Sequence, residues 1–119
     1  MEALEAVLRC GAFRIDLDDE RLWYGAEAIA LRPKTWAVLR LLIERPGRLV
    51  TKGELIEAVW RGTVIEEKVL NASIAEIRRA LRDDARAPRY VETVPRRGFR
   101  FVAPVDAAHD APVVRDRAG

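Results

Sequence analysis

The stretch from Glu66 to Arg82 constrains the fold most, and it reads E-E-K-V-L-N-A-S-I-A-E-I-R-R-A-L-R. Leu70, Ile74, Ile77 and Leu81 recur at the i, i+4, i+7, i+11 spacing of one helical face. The opposite face carries Lys68, Ala72, Ala75 and Arg79, with Asn71, Arg78 and Arg82 on one flank and Val69 and Glu76 on the other. Small residues ringed by cations and an amide suit a helix that lies close to something anionic. A surface helix with a solvated charged face has the same pattern, so this stretch alone leaves both readings open.

Length and composition narrow the class. A chain of 119 residues, half of them apolar and a third charged, can build one soluble core. No run approaches the roughly 18 consecutive apolar residues of a membrane span. The N-terminal M-E-A-L-E-A-V-L-R-C places acids where a signal peptide needs a basic start. Cytoplasmic placement is the expectation that follows. The lone Cys10 excludes an internal disulfide and a cysteine metal cluster, and reads as a small buried residue. The net charge of +2 says less than its distribution. Residues 61–100 are net +4, and the segments on either side are each net −1. A basic surface on the central segment points to a polyanion.

Residues 1–10 are an N-terminal extension, readable as a short helix (Leu4, Val7, Leu8) or as the lead into a strand. From Phe13 the period becomes two: Phe13, Ile15 and Leu17 alternate with Arg14 and Asp16, and Asp18-Asp19-Glu20 supplies a turn. Leu22-Trp23-Tyr24, a Gly25-Ala26 turn and Glu27–Leu31 continue an antiparallel meander. Arg32-Pro33 opens a helix with Trp36, Leu39, Leu42 and Ile43 on its core face, ending before Pro46-Gly47. Arg48-Leu49-Val50 is an extended link, and Thr51-Lys52-Gly53-Glu54 a capping box for a second helix, Lys52–Trp60. Thr63 and Glu66 offer a second capping box at the start of the central helix. A helix, a short connection and a helix with a small, basic outer face make a helix-turn-helix. Tyr90–Val94 and Phe99–Val102 then form a hairpin around Pro95-Arg96-Arg97-Gly98, with Phe99 and Phe101 on one side. Residues 104–119 have no periodicity and read as a flexible tail or the start of a linker.

The order of elements predicts an α+β winged helix-turn-helix over residues 11–103: a strand meander, three helices and a hairpin wing. It resembles the OmpR/PhoB-type output domain of bacterial transcriptional regulators. The resemblance rests on L-R-P-K-T-W-A-V-L-R-L-L at 31–42, T-K-G-E-L-I-E-A-V-W at 51–60, I-R-R-A-L at 77–81 and Y-V-E-T-V-P-R-R-G-F-R-F at 90–101. Among family members, the chain looks most like those that lack a receiver domain and join the winged helix to a sensory or ATPase-like region.

The resemblance implies sequence-specific binding of double-stranded DNA, with the third helix in the major groove and the wing at the backbone and minor groove. Carried over by position, Asn71, Ala72, Ala75, Glu76, Arg78 and Arg79 form the groove-facing set. Thr93, Arg96 and Arg97 are the wing contacts, and Lys68 and Arg82 are further phosphate contacts. The loop Arg61, Gly62, Thr63, Val64 and Ile65 matches the one the family presents to RNA polymerase. Dimeric or tandem binding on DNA also falls within the resemblance. Two departures stand out: Glu76 and Ala75 occupy positions where well-known receiver-linked members carry basic residues, and Pro95 replaces a basic wing residue. Glu76 can still accept from the N4 amino group of cytosine, although it repels phosphate.

The modest charge and Glu76 also fit a winged helix repurposed for protein–protein contact. Salt dependence separates the two, because counterion release belongs to DNA binding. An enzyme is disfavoured. The only histidine is His109, no Ser or Cys has a base positioned by motif, and no phosphate-cradling Gly loop is present. Asp16, Asp18, Asp19 and Glu20 lack metal-loop spacing and read as a solvated turn. Neither cofactor nor metal is implied.

Overall fold

The computed structural model describes residues 7–107. The elements run β1 (Val7–Cys10), β2 (Phe13–Asp16), β3 (Arg21–Tyr24), β4 (Glu27–Ile29), α1 (Pro33–Glu44), β5 (Leu49–Thr51), α2 (Lys52–Val59), α3 (Glu67–Ala80), β6 (Val91–Val94), β7 (Gly98–Phe101) and β8 (Asp106–Ala107). They fall into two compact units, one ending at Ala30 and resuming at Pro104, the other Leu31–Ala103.

The first unit is an antiparallel sheet in the order β4-β3-β2-β1-β8. Its period-two pattern buries Phe13, Ile15 and Leu22 and leaves Arg14 exposed, where Arg14 lies 5.4 Å over the Trp23 ring. Gly11 and Gly25 open the two-residue turns β1–β2 and β3–β4 with φ of 58° and 61°. Their Gly-Ala pairs suit the hairpin turn that takes glycine first. The ambiguous start of the chain resolves from Val7 onward into a strand. Leu4, like the rest of residues 1–6, lies outside the described residues. The third meander strand ends at Ile29, two residues short of the expected Leu31. Part of the expected tail is a strand as well: Asp106 and Ala107 pair with Arg9 and Leu8 of β1. Two residues are too few for a visible period. His109 and the remainder of the tail lie outside the described residues.

The second unit packs α1 against α2, α3 and β7. Trp36, Leu39, Leu42 and Ile43 are buried as the helical period requires, together with Val38. Pro33 stands at the start of α1. The capping box of α2 forms: Thr51 Oγ1 accepts from the Glu54 amide at 3.0 Å, and the Glu54 carboxylate accepts from the Thr51 amide at 2.8 Å. The hydrogen bond from the Thr51 amide is the main reason the Glu54 carboxyl sits below its ordinary range. The second box does not form. The N-cap of α3 is Glu66 itself, without a side-chain cap, so Thr63 lies three residues too early.

The expected link at residues 48–50 becomes β5, pairing with β7 in a sheet of order β5-β7-β6. Gly98 permits that pairing. A Cβ built there would lie 2.1 Å from the Val50 carbonyl oxygen and 2.8 Å from Thr51 Cα, so any side chain would force the strands apart.

Candidate nucleic-acid interface

Leu70, Ile74, Ile77 and Leu81 are all buried, with Ser73 beside them. The burial of that stripe turns Lys68, Asn71, Ala72, Ala75 and Arg79 outward, and all five are exposed. The helix stops earlier than its sequence suggests. Leu81 is the C-cap, and Arg82 follows in the left-handed region at φ 58°. The Asp83 amide donates to the Arg78 carbonyl at 2.8 Å and the Arg82 amide to Arg79 at 3.2 Å. This is a Schellman ending with Arg where Gly is usual, so its sequence signal is missing.

The chain then turns back toward the wing around Asp83. Its carboxylate accepts from the amides of Asp84, Arg89, Tyr90 and Val91, at 2.7 to 3.1 Å. Burial alone would raise this carboxyl, but the amide donors outweigh it and hold it below its ordinary value. Asp83 thereby fixes where β6 begins relative to the end of α3.

Arg78 makes the second connection. Its Nε and Nη2 donate to the Val91 carbonyl at 3.3 and 3.0 Å, and Nη2 also donates to Thr93 Oγ1 at 2.7 Å. It is half-buried, a brace between α3 and the wing rather than an outstretched cation. Thr93 remains exposed.

At the wing tip Pro95, Arg96 and Arg97 are all exposed. The Arg97 amide donates to the Val94 carbonyl at 3.0 Å and Arg96 has φ 68°. Proline followed by a left-handed residue is the pattern of a type II turn, in which Gly is favoured at the Arg96 position. The Arg97 carbonyl accepts from the Lys52 amide at 3.0 Å and ties the tip to the start of α2.

Between α3 and the wing lies a cleft of about 300 Å³, lined by Asn71, Ala75, Arg78, Thr93 and Arg96 among the expected residues. Lys52 and Glu67 also line it and form an ion pair there; sequence reading did not single them out. Lys68 and Ala72 line a different groove. Arg79, Arg82 and Arg97 line neither.

Glu76 departs most from expectation. Its carboxylate accepts from the Arg32 amide at 3.0 Å, Arg32 Nε at 2.8 Å and Thr35 Oγ1 at 2.6 Å, and its side chain is only 18% exposed. Burial would raise its pKa, but the Thr35 and Arg32 hydrogen bonds prevail and lower it. A carboxylate assigned by position to the groove-facing set is thus engaged with the start of α1. In the loop before α3, Arg61, Gly62, Thr63 and Val64 are exposed, Val64 almost completely, and Ile65 is half-buried.

Residues 25–101 match the family model described as "Transcriptional regulatory protein, C terminal". The chain belongs to this family. The family is one of transcription regulators rather than a class of enzyme, and the fold is the OmpR/PhoB-type winged helix. A cholera toxin homolog transcriptional activator of Vibrio parahaemolyticus is 34% identical over 69% of this chain and 29% of its own length. The transcriptional activator CadC of Escherichia coli is 28% identical over 85% of this chain and 20% of its own length. This chain therefore spans less than a third of these relatives. The DNA-binding domain of CadC superposes with a TM-score of 0.72 at 28% identity, over 87% of this chain and 97% of that one. The Klebsiella pneumoniae RstA DNA-binding domain, solved in complex with the RstA box, shares the fold with a TM-score of 0.70 at 23% identity, over 81% of this chain and 96% of that one. No helix among the described residues is long and apolar enough to cross a membrane.

Proposed function

We propose that this winged helix binds duplex DNA as the output module of a bacterial transcription regulator, with α3 in the major groove and the wing along the backbone and minor groove. The observation that carries the reading is the exposed strip Lys68, Asn71, Ala72, Ala75 and Arg79. It borders a cleft into which Arg78, Thr93 and Arg96 converge. Small residues at the centre of the strip let the helix axis approach base edges, and Arg79 and Asn71 carry the donors that guanine and adenine accept. Thr93, Arg96 and Arg97 supply backbone contacts, which set position and carry little sequence information.

The remaining parts of the reading follow from family membership. The loop 61–65, exposed from Arg61 to Val64, would meet RNA polymerase, a sensory or ATPase-like region would adjoin the domain, and two copies would bind as a dimer or in tandem. Such a module works in the cytoplasm, where the DNA is. The test is selection of bound duplexes from a random library, followed by affinity measurements across salt concentrations. An enriched site whose log K falls linearly with log salt is the expected result. No enriched site and no salt dependence would return the fold to the protein-contact reading.

A further inference from the structure

The flank of α3 away from the wing cleft carries its own cationic groove. At about 100° per residue, Asn71 and Arg78 fall on one side of the exposed Lys68–Arg79 line, and Val69 and Ser73 on the other. The second side opens onto a groove of about 770 Å³, where Arg32 and Lys34 from the start of α1 meet Trp60, Lys68, Val69 and Ala72. Among the described residues, three that line it are cations and none is a carboxylate. The first turn of α1 contains no acid, although acids are the residues a helix start favours; Lys34 stands there instead.

The cations are partly oriented yet still available. Arg32 uses Nε for Glu76 while its side chain remains 69% exposed, which leaves both terminal guanidinium nitrogens to donate outward. Lys34 gives one hydrogen bond from Nζ to the Val59 carbonyl, at 2.9 Å, and an ammonium has two more donors. Lys68 is 83% exposed beside Glu66 at 3.3 Å.

We propose that this groove seats a phosphodiester strand of the same duplex that receives α3, with Arg32 and Lys34 holding the backbone on the flank the wing does not cover. The inference rests on the DNA-binding reading above. A major groove about 12 Å wide is walled by a backbone on each side, so a helix lying in it has phosphate along both flanks. The wing and its cleft serve one flank, and this groove, with Arg32, Lys34 and Lys68 on its lining, lies on the other. Glu76 then acts through Arg32 as a positioning residue, fixing the guanidinium at the rim.

The test uses the 119-residue chain, its selected site and an unrelated duplex. Arg32→Gln combined with Lys34→Gln should weaken binding to both duplexes by the same factor. It should also reduce the slope of log K against log salt by about 1–2, the loss of one or two phosphate contacts. Ethylation of phosphates on one wall of the groove, which interferes with wild-type binding, should cease to matter for the variant. Lys34→Gln alone leaves the Glu76 contacts and the exposed strip of α3 in place. It should lower the slope by about 1 on both duplexes, and it decides the matter if the first variant unfolds at lower temperature. A folded variant with unchanged slope and interference pattern overturns the inference while the DNA-binding reading stands; an acidic protein segment in the groove would give that result. Wild-type protein that binds no duplex overturns both.

Discussion

Glu76 accepts from both the backbone amide and the Nε of Arg32, at 3.0 and 2.8 Å, across 44 residues of sequence. A carboxylate on the third helix therefore closes the start of the first, which has no side-chain cap of its own. Glu76→Gln keeps the shape and removes the charge, so it should cost about 1–3 kcal/mol, the range for weakening charged hydrogen bonds at a shielded site. The pH dependence has a defined sign. The folded carboxyl is lowered below its ordinary 4.5, so its stabilisation is present above that value and fades as pH falls through the folded pKa. Denaturant unfolding of the two proteins should give a gap that is full at pH 7 and narrows below about pH 4.5. A gap independent of pH would refute the assignment.

Asp83 organises the passage from α3 to the wing, and four amide donors converge on it. Asp83→Asn turns one acceptor oxygen into a donor facing either the Tyr90 and Val91 amides or the Asp84 and Arg89 amides. It should destabilise by about 1.5–3 kcal/mol, measured by urea unfolding at pH 7. DNA affinity should fall as well, because β6 loses its fixed origin.

Most of the framework was legible in the sequence because its signals are periodic or local. The Leu70/Ile74/Ile77/Leu81 stripe needs only the helical repeat, and the Thr51–Glu54 box needs only adjacent residues. β5 and β8 were not legible, since a three-residue and a two-residue strand are defined by the partners they pair with. The end of α3 also escaped, because Arg82 holds a left-handed conformation usually marked by glycine; the wing turn was legible at Pro95-Arg96-Arg97-Gly98, but not the left-handed backbone of Arg96 within it. Glu76 was legible as an oddity on the outer flank of a helix. Its engagement with Arg32 and Thr35 was not, because period alone cannot reveal a side chain bent back to another helix.

The two left-handed arginines give a stability test with opposing consequences. A non-glycine residue in this region costs about 1–2 kcal/mol. Arg96→Gly should therefore stabilise the wing by about 1 kcal/mol, less the added freedom of the unfolded chain. It should also weaken DNA binding uniformly and lower the salt slope by about 1. Thermal unfolding and fluorescence anisotropy on the same preparation check both halves. A lower melting temperature would mean that Arg96 contributes folding contacts that outweigh its backbone strain.

Gly98 tests the sheet that carries the wing. With a Cβ placed 2.1 Å from the Val50 carbonyl, backbone rather than a movable side chain must give way. Gly98→Ala should cost about 3 kcal/mol or more, read from urea unfolding. If the variant is as stable as the parent, β5 and β7 do not approach as closely as described.

Arg79 bears most directly on recognition. It is exposed and lies nearly opposite the buried stripe, so its side chain leaves the helix on the face turned away from the core. From there it reaches either a base edge or a phosphate, and the two outcomes differ in kind. Bidentate pairing with guanine O6 and N7 is specific to one base pair, so Arg79→Ala should cost about 1–3 kcal/mol on the selected site and relax preference at a single position. A phosphate contact would weaken every duplex equally and reduce the salt slope by about 1. Glu76→Gln is the companion measurement. Because its carboxylate is held by Arg32 and Thr35, the expectation is that Glu76 contributes no base contact and that the variant leaves the preference at every position unchanged. Affinities of both variants across all single-base changes of the selected site separate these outcomes. A preference that shifts with Glu76→Gln but not with Arg79→Ala would mean that the helix sits in the groove rotated toward α1, with Glu76 released from Arg32 on binding.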